Sequence, residues 1–232
     1  MYSFRKDYCR RNESRDQMMN MTKAKHLRLA VLASGRGSNF LAIQKAIDEG
    51  KLDAEICILL SDKEDAPALD KAKQLGIPAV SVLPRSFYNK EAYEKEVVHQ
   101  LASYDIDIVV LAGYMRLLSH VLLEAYKMRV VNIHPALLPS FTGLHAQRQA
   151  LEYGVKYSGC TVHFIDEGMD TGPIILQAVV PVLDEDTEDT LTDRILAEEH
   201  RIYKEALQLI ASGCMKVDGR RVMIVNDEQG VK

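Results

Sequence analysis

Three polar residues in the second half of the chain, Asn132, His134 and Asp170, could move a proton and stabilise a negatively charged oxygen. Asn132 and His134 end a short apolar run and are two residues apart, so in an extended segment their side chains share one face. Pro135 disfavours a helical conformation of His134, which places the pair where a strand gives way to a loop. Asp170 lies in the turn-forming segment 168–173, and we expect that turn to return the carboxylate to the imidazole.

These residues and their neighbours also have other interpretations. His134 could be a hydrogen-bonded structural histidine, and its spacing to Asn132 is what favours catalysis. No two histidines have a metal-ligand spacing, so no metal is predicted. Residues 170–172 match an aspartic-protease sequence, but that chemistry needs a second copy, which the chain lacks. Cys160 and His163 point to opposite faces of a predicted strand, which excludes a nucleophile and base pair.

A second candidate site follows the first predicted strand, in the segment Ser34-Gly35-Arg36-Gly37-Ser38-Asn39. A glycine-rich turn between a strand and a helix binds anions, because unpaired amides and the helix dipole converge there. The segment lacks the dinucleotide pattern G-x-G-x-x-G, whose third glycine would fall at Phe40, and it lacks the P-loop pattern. A simple tight turn is the alternative, but the donors Ser38 and Asn39 at the helix entry favour phosphate binding.

Strands and helices alternate over the first half of the chain. Strands are predicted over 27–33, 55–61, 79–82, 108–112 and 130–133, with helices through 41–47, 67–75, 89–104 and 117–126. Such alternation implies right-handed parallel crossovers and an α/β fold with a doubly wound, mostly parallel sheet. Ligands bind such sheets at the carboxyl ends of the strands, where residues 35–39, 113–118 and 132–134 all lie.

The pattern changes after Pro139. We predict a helix over 144–153, an antiparallel strand pair over 161–164 and 174–182, a long closing helix over 187–209, and a small hairpin from Val217. Residues 26–232 are predicted to form a single domain. Residues 1–25 are charged and lack apolar periodicity, so they are predicted to be a disordered extension.

The composition indicates an ordinary soluble globular chain, with 232 residues of which 47% are apolar and 27% charged. A formal charge of −4 gives no overall attraction to nucleic acid or to an anionic membrane. No apolar run approaches the roughly 18 residues of a transmembrane helix. The four cysteines form no C-x-x-C pair and are expected to be free thiols in a reducing compartment. We therefore expect a cytoplasmic protein that acts on small molecules.

Four motifs together resemble the phosphoribosylglycinamide formyltransferases, a branch of the formyltransferase family. They are Ser34–Asn39, Leu111–Ser119, Asn132–Pro139 and His163–Gln177, and the resemblance covers residues 27–209. The Asn-x-His pair and the later Asp are shared by the wider family. The Gly-Ser-Asn loop and the segment 143–151 are similar to the glycinamide ribonucleotide branch. The resemblance implies a Rossmann-like formyltransferase fold.

The resemblance also implies a reaction. A formyl group would pass from the co-substrate 10-formyltetrahydrofolate, without a metal, to the amino group of glycinamide ribonucleotide in de novo purine (IMP) biosynthesis. The catalytic residues would be Asn132, His134 and Asp170. Asn132 and a cationic His134 would stabilise the oxyanion of a tetrahedral intermediate, while Asp170 would keep His134 charged and relay the amine proton.

Binding residues follow from the same resemblance. The substrate phosphate would lie on Gly37, Ser38 and Asn39, with the ribose near Glu199. The folate would contact Lys90, Leu111, Met115, Arg116, Leu117, Leu118, Asn132, Ile165, Asp166 and Asp170. Lys90 stands where the family commonly has an arginine near the acidic tail of the folate, so bidentate carboxylate recognition is not expected there.

Three alternative functions are compatible with some of these residues. Formyltetrahydrofolate hydrolases carry an extra N-terminal regulatory domain, and methionyl-tRNA formyltransferases carry an extra C-terminal one that binds nucleic acid. We expect neither, since the stretches before Leu27 and after Asp170 are short. A non-enzymatic folate- or nucleotide-binding module would not need the Asn132, His134 and Asp170 trio. We expect a monomer or homodimer with small-molecule substrates, and neither nucleic acid nor membrane as a partner.

Overall fold

The computed structural model describes residues 19–21 and 25–225, and the elements below are those of this part of the chain. The strands are β1 (Met19–Met21), β2 (Leu27–Leu32), β3 (Ala54–Ser61), β4 (Ala79–Ser81), β5 (Ile108–Leu111), β6 (Val130–His134), β7 (Tyr157–Phe164), β8 (Ile174–Pro181), β9 (Met215–Asp218) and β10 (Arg221–Ile224). The α-helices are α1 (Ser38–Asp48), α2 (Pro67–Gln74), α3 (Lys90–Leu101), α4 (His120–Ala125), α5 (Ala146–Tyr153) and α6 (Glu188–Ala211). The strands form one sheet in the order β1-β9-β10-β8-β7-β6-β5-β2-β3-β4.

Five neighbouring strands of this sheet, β4, β3, β2, β5 and β6, are parallel. The side chains of β2, β3, β5 and β6 are mostly apolar and buried, as expected for strands covered by helices on both faces. Those of the edge strand β4 are partly buried or exposed. The chain winds outward first through β3 and β4, then returns to the other side of β2 through β5 and β6. This reversal creates a crevice at the carboxyl ends of β2 and β5, where doubly wound sheets bind ligands. The predicted fold class is confirmed.

The predicted C-terminal strand pair is also present. β7 lies antiparallel to both β6 and β8, and it begins at Tyr157, four residues earlier than predicted. The β6–β7 register sets Asn132 opposite His163 and His134 opposite Thr161. The predicted small hairpin is β9–β10, and β10 joins the sheet beside β8.

The long closing helix α6 fixes the carboxyl edge of the parallel strands. Its start is stabilised by a capping box between Thr187 and Thr190. Tyr203 is buried, and its hydroxyl lies 3.0 Å from the carbonyl oxygen of Leu111 and 2.9 Å from that of Val131, so its single O–H proton is shared between the two strands. The helix is thereby joined to β5 and β6 beside the predicted catalytic residues.

Some helix bounds differ from the predictions for local reasons. α4 begins at His120 rather than residue 117, because Ser119 is its N-cap and is held by the buried Glu94. Residues 113–118 are therefore a loop. α3 ends at Leu101 and continues as a 3₁₀ turn over Ala102–Tyr104. α5 begins at Ala146, since the preceding His145 has a φ of +59°.

The N-terminal extension is only partly described. Met19–Met21 form β1, antiparallel to β9, which differs from the predicted disorder at those three residues. The rest of that prediction, at residues 1–18 and 22–24, lies outside the described residues. Among residues 19–21 and 25–225, no helix combines the length and apolar character needed to cross a membrane.

Candidate active site

His134 ends β6 and is almost fully enclosed, with 4% of its surface exposed. Its Nε2–H donates to the carbonyl oxygen of Phe141 at 2.8 Å. The other ring nitrogen, Nδ1, lies 3.6 Å from Oδ2 of Asp170. This distance allows an ion pair but is too long for a hydrogen bond. A proton on Nδ1 therefore remains available to a ligand.

Asp170 is held by the loops around it. Its Oδ2 accepts a 2.8 Å hydrogen bond from the amide of Gly143, and its backbone has a φ of +54°, which aspartate tolerates better than most residues. A Cβ at Gly172 would lie 1.8 Å from the carbonyl oxygen of Phe164, so only glycine lets this loop close onto β7. Unusual backbone conformations of this kind cluster at functional sites.

His163 is a site residue that the sequence reasoning missed. Its side chain is buried on β7 opposite Asn132, and its Nε2 lies 3.3 Å from Nδ2 of Asn132. Burial lowers the pKa of His163, although Asp170, 3.8 Å away, opposes this. The neutral ring donates from Nδ1 to the carbonyl oxygen of Phe164 at 3.0 Å, which leaves Nε2 to accept from the amide.

The consequence for Asn132 is a fixed orientation. One amide N–H is taken by His163, and the half-buried side chain keeps a second N–H for a ligand. The cluster of an amide, two imidazoles and a carboxylate can donate to an oxyanion and accept or pass a proton. The predicted strand over 161–164 already contained His163, but the register that sets it opposite Asn132 is seen only in the structure.

Two other chemistries find no support in this arrangement. Burial raises the pKa of the Cys160 thiol to about 12, so it remains protonated and unreactive at neutral pH. Within the described part of the chain, no three His, Cys, Asp or Glu side chains are grouped so that they could hold a metal ion.

The predicted phosphate loop forms the N-terminus of α1. Gly37 precedes the helix with a φ of +72°, and a Cβ there would lie 2.8 Å from the Cβ of Ala68. Because the first amides of a helix have no intrahelical partner, those of Ser38 and Asn39 are available to an anion. The Asn39 side chain is buried and donates from Nδ2 to Oε2 of Glu199 at 2.8 Å. Two distant predicted binding residues, Asn39 and Glu199, are therefore in direct contact.

Burial raises the pKa of Glu199 to about 7, against the opposing effect of its hydrogen bond with Asn39. The folded protein therefore holds a proton on this carboxyl between its ordinary value of 4.5 and about 7, where the unfolded chain does not. The contribution of this group to stability is complete below pH 4.5 and is lost as the pH rises through about 7.

We expect Glu199→Gln to raise the free energy of unfolding at pH 8 by about 1–3 kcal/mol, because glutamine accepts from Asn39 without a buried charge. At pH 4 the two proteins should differ little. Urea denaturation at both pH values measures this, with the exposed Glu152→Gln as control. Equal stabilisation at both pH values would show that the charge of Glu199 is not the cause.

The two ends of the site lie on the same edge of the sheet. Asn132 pairs with Leu111, which in turn pairs with Leu32 at the end of β2. Asn132 and Leu32 are therefore two strand spacings apart, which is roughly 10 Å. The anion site that follows β2 and the polar cluster on β6 are thus a small-molecule length apart.

The residues predicted to contact folate differ in their exposure and in the elements that carry them. Met115 and Leu117 expose 66% and 61% of their surfaces on the loop after β5, as suits a ligand-facing segment. Leu111 is buried, and its carbonyl oxygen accepts a hydrogen bond from the Tyr203 hydroxyl. Lys90 is the first residue of α3.

The remaining predicted folate contacts lie on two loops. The Arg116 guanidinium lies 5.3 Å above the ring of Tyr93. Leu118 and Ile165 pack against the buried apolar cluster that contains Tyr93. Asp166 accepts hydrogen bonds through Oδ1 from the Thr171 hydroxyl at 2.6 Å and the Gly168 amide at 3.1 Å. It thus shapes the loop that carries Asp170.

Comparison with known proteins adds independent evidence. The family described as "Formyl transferase" matches residues 27–207. The chain is 43% identical to phosphoribosylglycinamide formyltransferase of Bacillus subtilis over 181 residues, which cover 78% of this chain and 93% of that protein. It is 44% identical to the trifunctional purine biosynthetic protein adenosine-3 of Drosophila melanogaster over 195 residues. That match covers 83% of this chain and spans only 14% of the much longer relative.

A solved structure agrees with the sequence relatives. Glycinamide ribonucleotide transformylase 1 from Symbiobacterium toebii superposes with a TM-score of 0.85 at 48% identity. The match covers 86% of this chain and 94% of that chain. Both the family match and the near-complete match to the Bacillus protein include the strands and loops that carry Asn132, His134 and Asp170. The chain belongs to the formyl transferase family.

Proposed function

We propose that this protein transfers the formyl group of 10-formyltetrahydrofolate to the amino group of glycinamide ribonucleotide, as a step of purine biosynthesis. The observation that carries the proposal is the placement of Asn132, His134 and Asp170 at the same sheet edge as the N-terminus of α1. One end supplies oxyanion and proton chemistry, and the other supplies an anion site. A ribonucleotide with a reactive amine needs both.

In the proposed reaction the amine attacks the formyl carbon, and a C–N bond forms as the carbonyl oxygen becomes an oxyanion. The N–H of Asn132 that His163 does not use donates to this oxygen. His134, paired in its charged form with Asp170, can present Nδ1–H to it, because the 3.6 Å separation leaves that proton free. The intermediate then collapses, and the bond to N10 of the folate breaks.

Proton balance assigns a task to Asp170. The attacking amine must lose one proton, and the departing folate nitrogen must gain one. Asp170 can accept the amine proton, directly or through a water, and pass it on to N10 as the bond from the formyl carbon to N10 breaks, while Gly143 keeps the carboxylate in place. Its second neighbour His163 is neutral because burial lowers its pKa, so His163 positions Asn132 and does not act as the acid.

The proposed substrate positions follow the two ends of the site. The phosphate of the ribonucleotide lies on the amides of Gly37, Ser38 and Asn39, and a ribose hydroxyl lies near Glu199. The folate lies along residues 115–118 and 165–170, with its acidic tail toward Lys90. A single charge at Lys90 would bind that tail less directionally than an arginine fork.

The proposed setting is the cytoplasm, with a monomer or homodimer acting on these two small molecules. The formal charge of −4 supports the absence of a nucleic-acid or membrane partner, since either would favour a basic surface.

The test is to incubate the protein with 10-formyltetrahydrofolate, with and without glycinamide ribonucleotide, and to follow the release of tetrahydrofolate by absorbance. We expect release only when the acceptor is present. Release without the acceptor would indicate a hydrolase. No release in either mixture would indicate a binding module and would contradict the proposal.

A further inference from the structure

Two consecutive residues of α3, Tyr93 and Glu94, contact the loop after β5 on both sides of its ligand-facing residues. Each has only 2% of its surface exposed. Neither was singled out by the sequence motifs, and neither belongs to the polar cluster around His134. The hydrogen-bond and cation–π partners of both side chains are on the segment 114–122, which includes the exposed Met115 and Leu117.

Tyr93 holds the first half of this loop. Its hydroxyl is hydrogen-bonded to the hydroxyl of Tyr114, and the Arg116 guanidinium lies 5.3 Å above its ring. Phe87 packs edge-on against the same ring at 5.9 Å, which fixes its plane. Burial raises the pKa of Tyr93 to about 12 and moves that of Tyr114 still further up, so both hydroxyls keep their protons at neutral pH.

Glu94 holds the second half. Its carboxylate accepts from the Ser119 amide at 2.7 Å, from the Ser119 hydroxyl, and from the Leu122 amide at 3.3 Å. These bonds begin α4 at His120 and so end the loop at Ser119. On the opposite side, the Met115 amide donates to Oγ of Ser34 at 3.0 Å.

We propose that Tyr93 and Glu94 are positioning residues for the folate co-substrate, which hold residues 115–118 in the binding conformation before the folate arrives. This inference rests on the proposed function, which places the folate on that segment. A free loop would lose conformational entropy on binding, whereas a loop already fixed at both ends loses little. The two anchors therefore act on folate affinity, and they leave the ribonucleotide site and the chemical step unchanged.

Tyr93→Phe is the sharpest variant, because it keeps the ring, its stacking with Arg116 and its packing with Phe87. It leaves the buried Tyr114 hydroxyl without its partner. We expect the KM for 10-formyltetrahydrofolate to rise about tenfold, with kcat and the KM for glycinamide ribonucleotide unchanged. Adding Tyr114→Phe replaces both hydroxyls with an apolar contact of similar shape and should bring the folate KM back toward the original value.

Tyr126→Phe is a matched control. Tyr126 is also buried beside an arginine, with the Arg129 guanidinium 5.0 Å above its ring, but Arg129 donates to the Ile106 carbonyl before β5, at the opposite edge of the sheet. Its kinetics should match those of the unaltered protein. An unchanged folate KM in Tyr93→Phe, or an equal rise in both KM values, would overturn the inference while the proposed function stands. Absence of turnover in the unaltered protein would overturn both.

Discussion

Replacing Asp170 with asparagine should lower kcat by about 10³–10⁴-fold. Asparagine keeps the size of the side chain and an oxygen that can accept the 2.8 Å hydrogen bond from Gly143. It loses the negative charge that pairs with His134 at 3.6 Å and the ability to take the amine proton. Steady-state kinetics should show the loss in kcat, with both KM values close to those of the unaltered protein.

The exposed Glu167, on the same loop, is the control for this experiment. Glu167→Gln removes one negative charge from the proposed folate loop without touching the cluster, so its kcat should be unaffected, whatever change it makes to the KM for the folate. If Asp170→Asn turned over at the original rate, Asp170 would have no part in the proton path. If Glu167→Gln were equally slow, the effect would come from loop charge in general.

Asn132→Ala should lower kcat by about 10²–10³-fold, the usual loss when one oxyanion donor is removed. Asn132→Asp sharpens the result, because it keeps the shape but has no N–H to donate. We expect that variant to be at least as slow as the alanine variant. Both should unfold at nearly the original urea concentration, since the side chain is only half-buried and makes a single 3.3 Å contact, with His163.

The contrary outcome for Asn132 is equally specific. Near-original turnover in the alanine variant, with both substrates present, would assign the oxyanion to another donor. A large fall in the free energy of unfolding would instead make Asn132 a structural residue whose loss slows the reaction indirectly.

Much of the fold was predictable because the spacing of apolar residues along the sequence indicates which side chains are buried. Most side chains of β2, β3, β5 and β6 are apolar and buried, and β2, β3 and β5 are each followed by a helix that buries apolar side chains. From that alternation, the loop after β2 and the end of β6 had to meet at one sheet edge. Asp170 could be placed beside His134 because glycine and proline mark its turn.

What the sequence did not reveal depends on contacts between distant elements. His163 joins the site only through the β6–β7 register, since no local motif pairs it with Asn132. α4 begins at His120 and not at the predicted residue 117, because its N-cap Ser119 is held by Glu94, which is 25 residues earlier in the sequence. These contacts depend on the packing of residues that are far apart in the sequence, and the local pattern of apolar and polar residues does not predict them.

The fate of the formyl carbon is the most direct test of the proposed transfer. The protein would be given 10-formyltetrahydrofolate labelled with ¹³C in the formyl group, together with unlabelled glycinamide ribonucleotide, and the products would be identified by mass spectrometry. We expect the label to appear on the amino nitrogen of the ribonucleotide, in an amount equal to the tetrahydrofolate released. Label recovered as free formate, with the ribonucleotide unmodified, would contradict the proposed transfer.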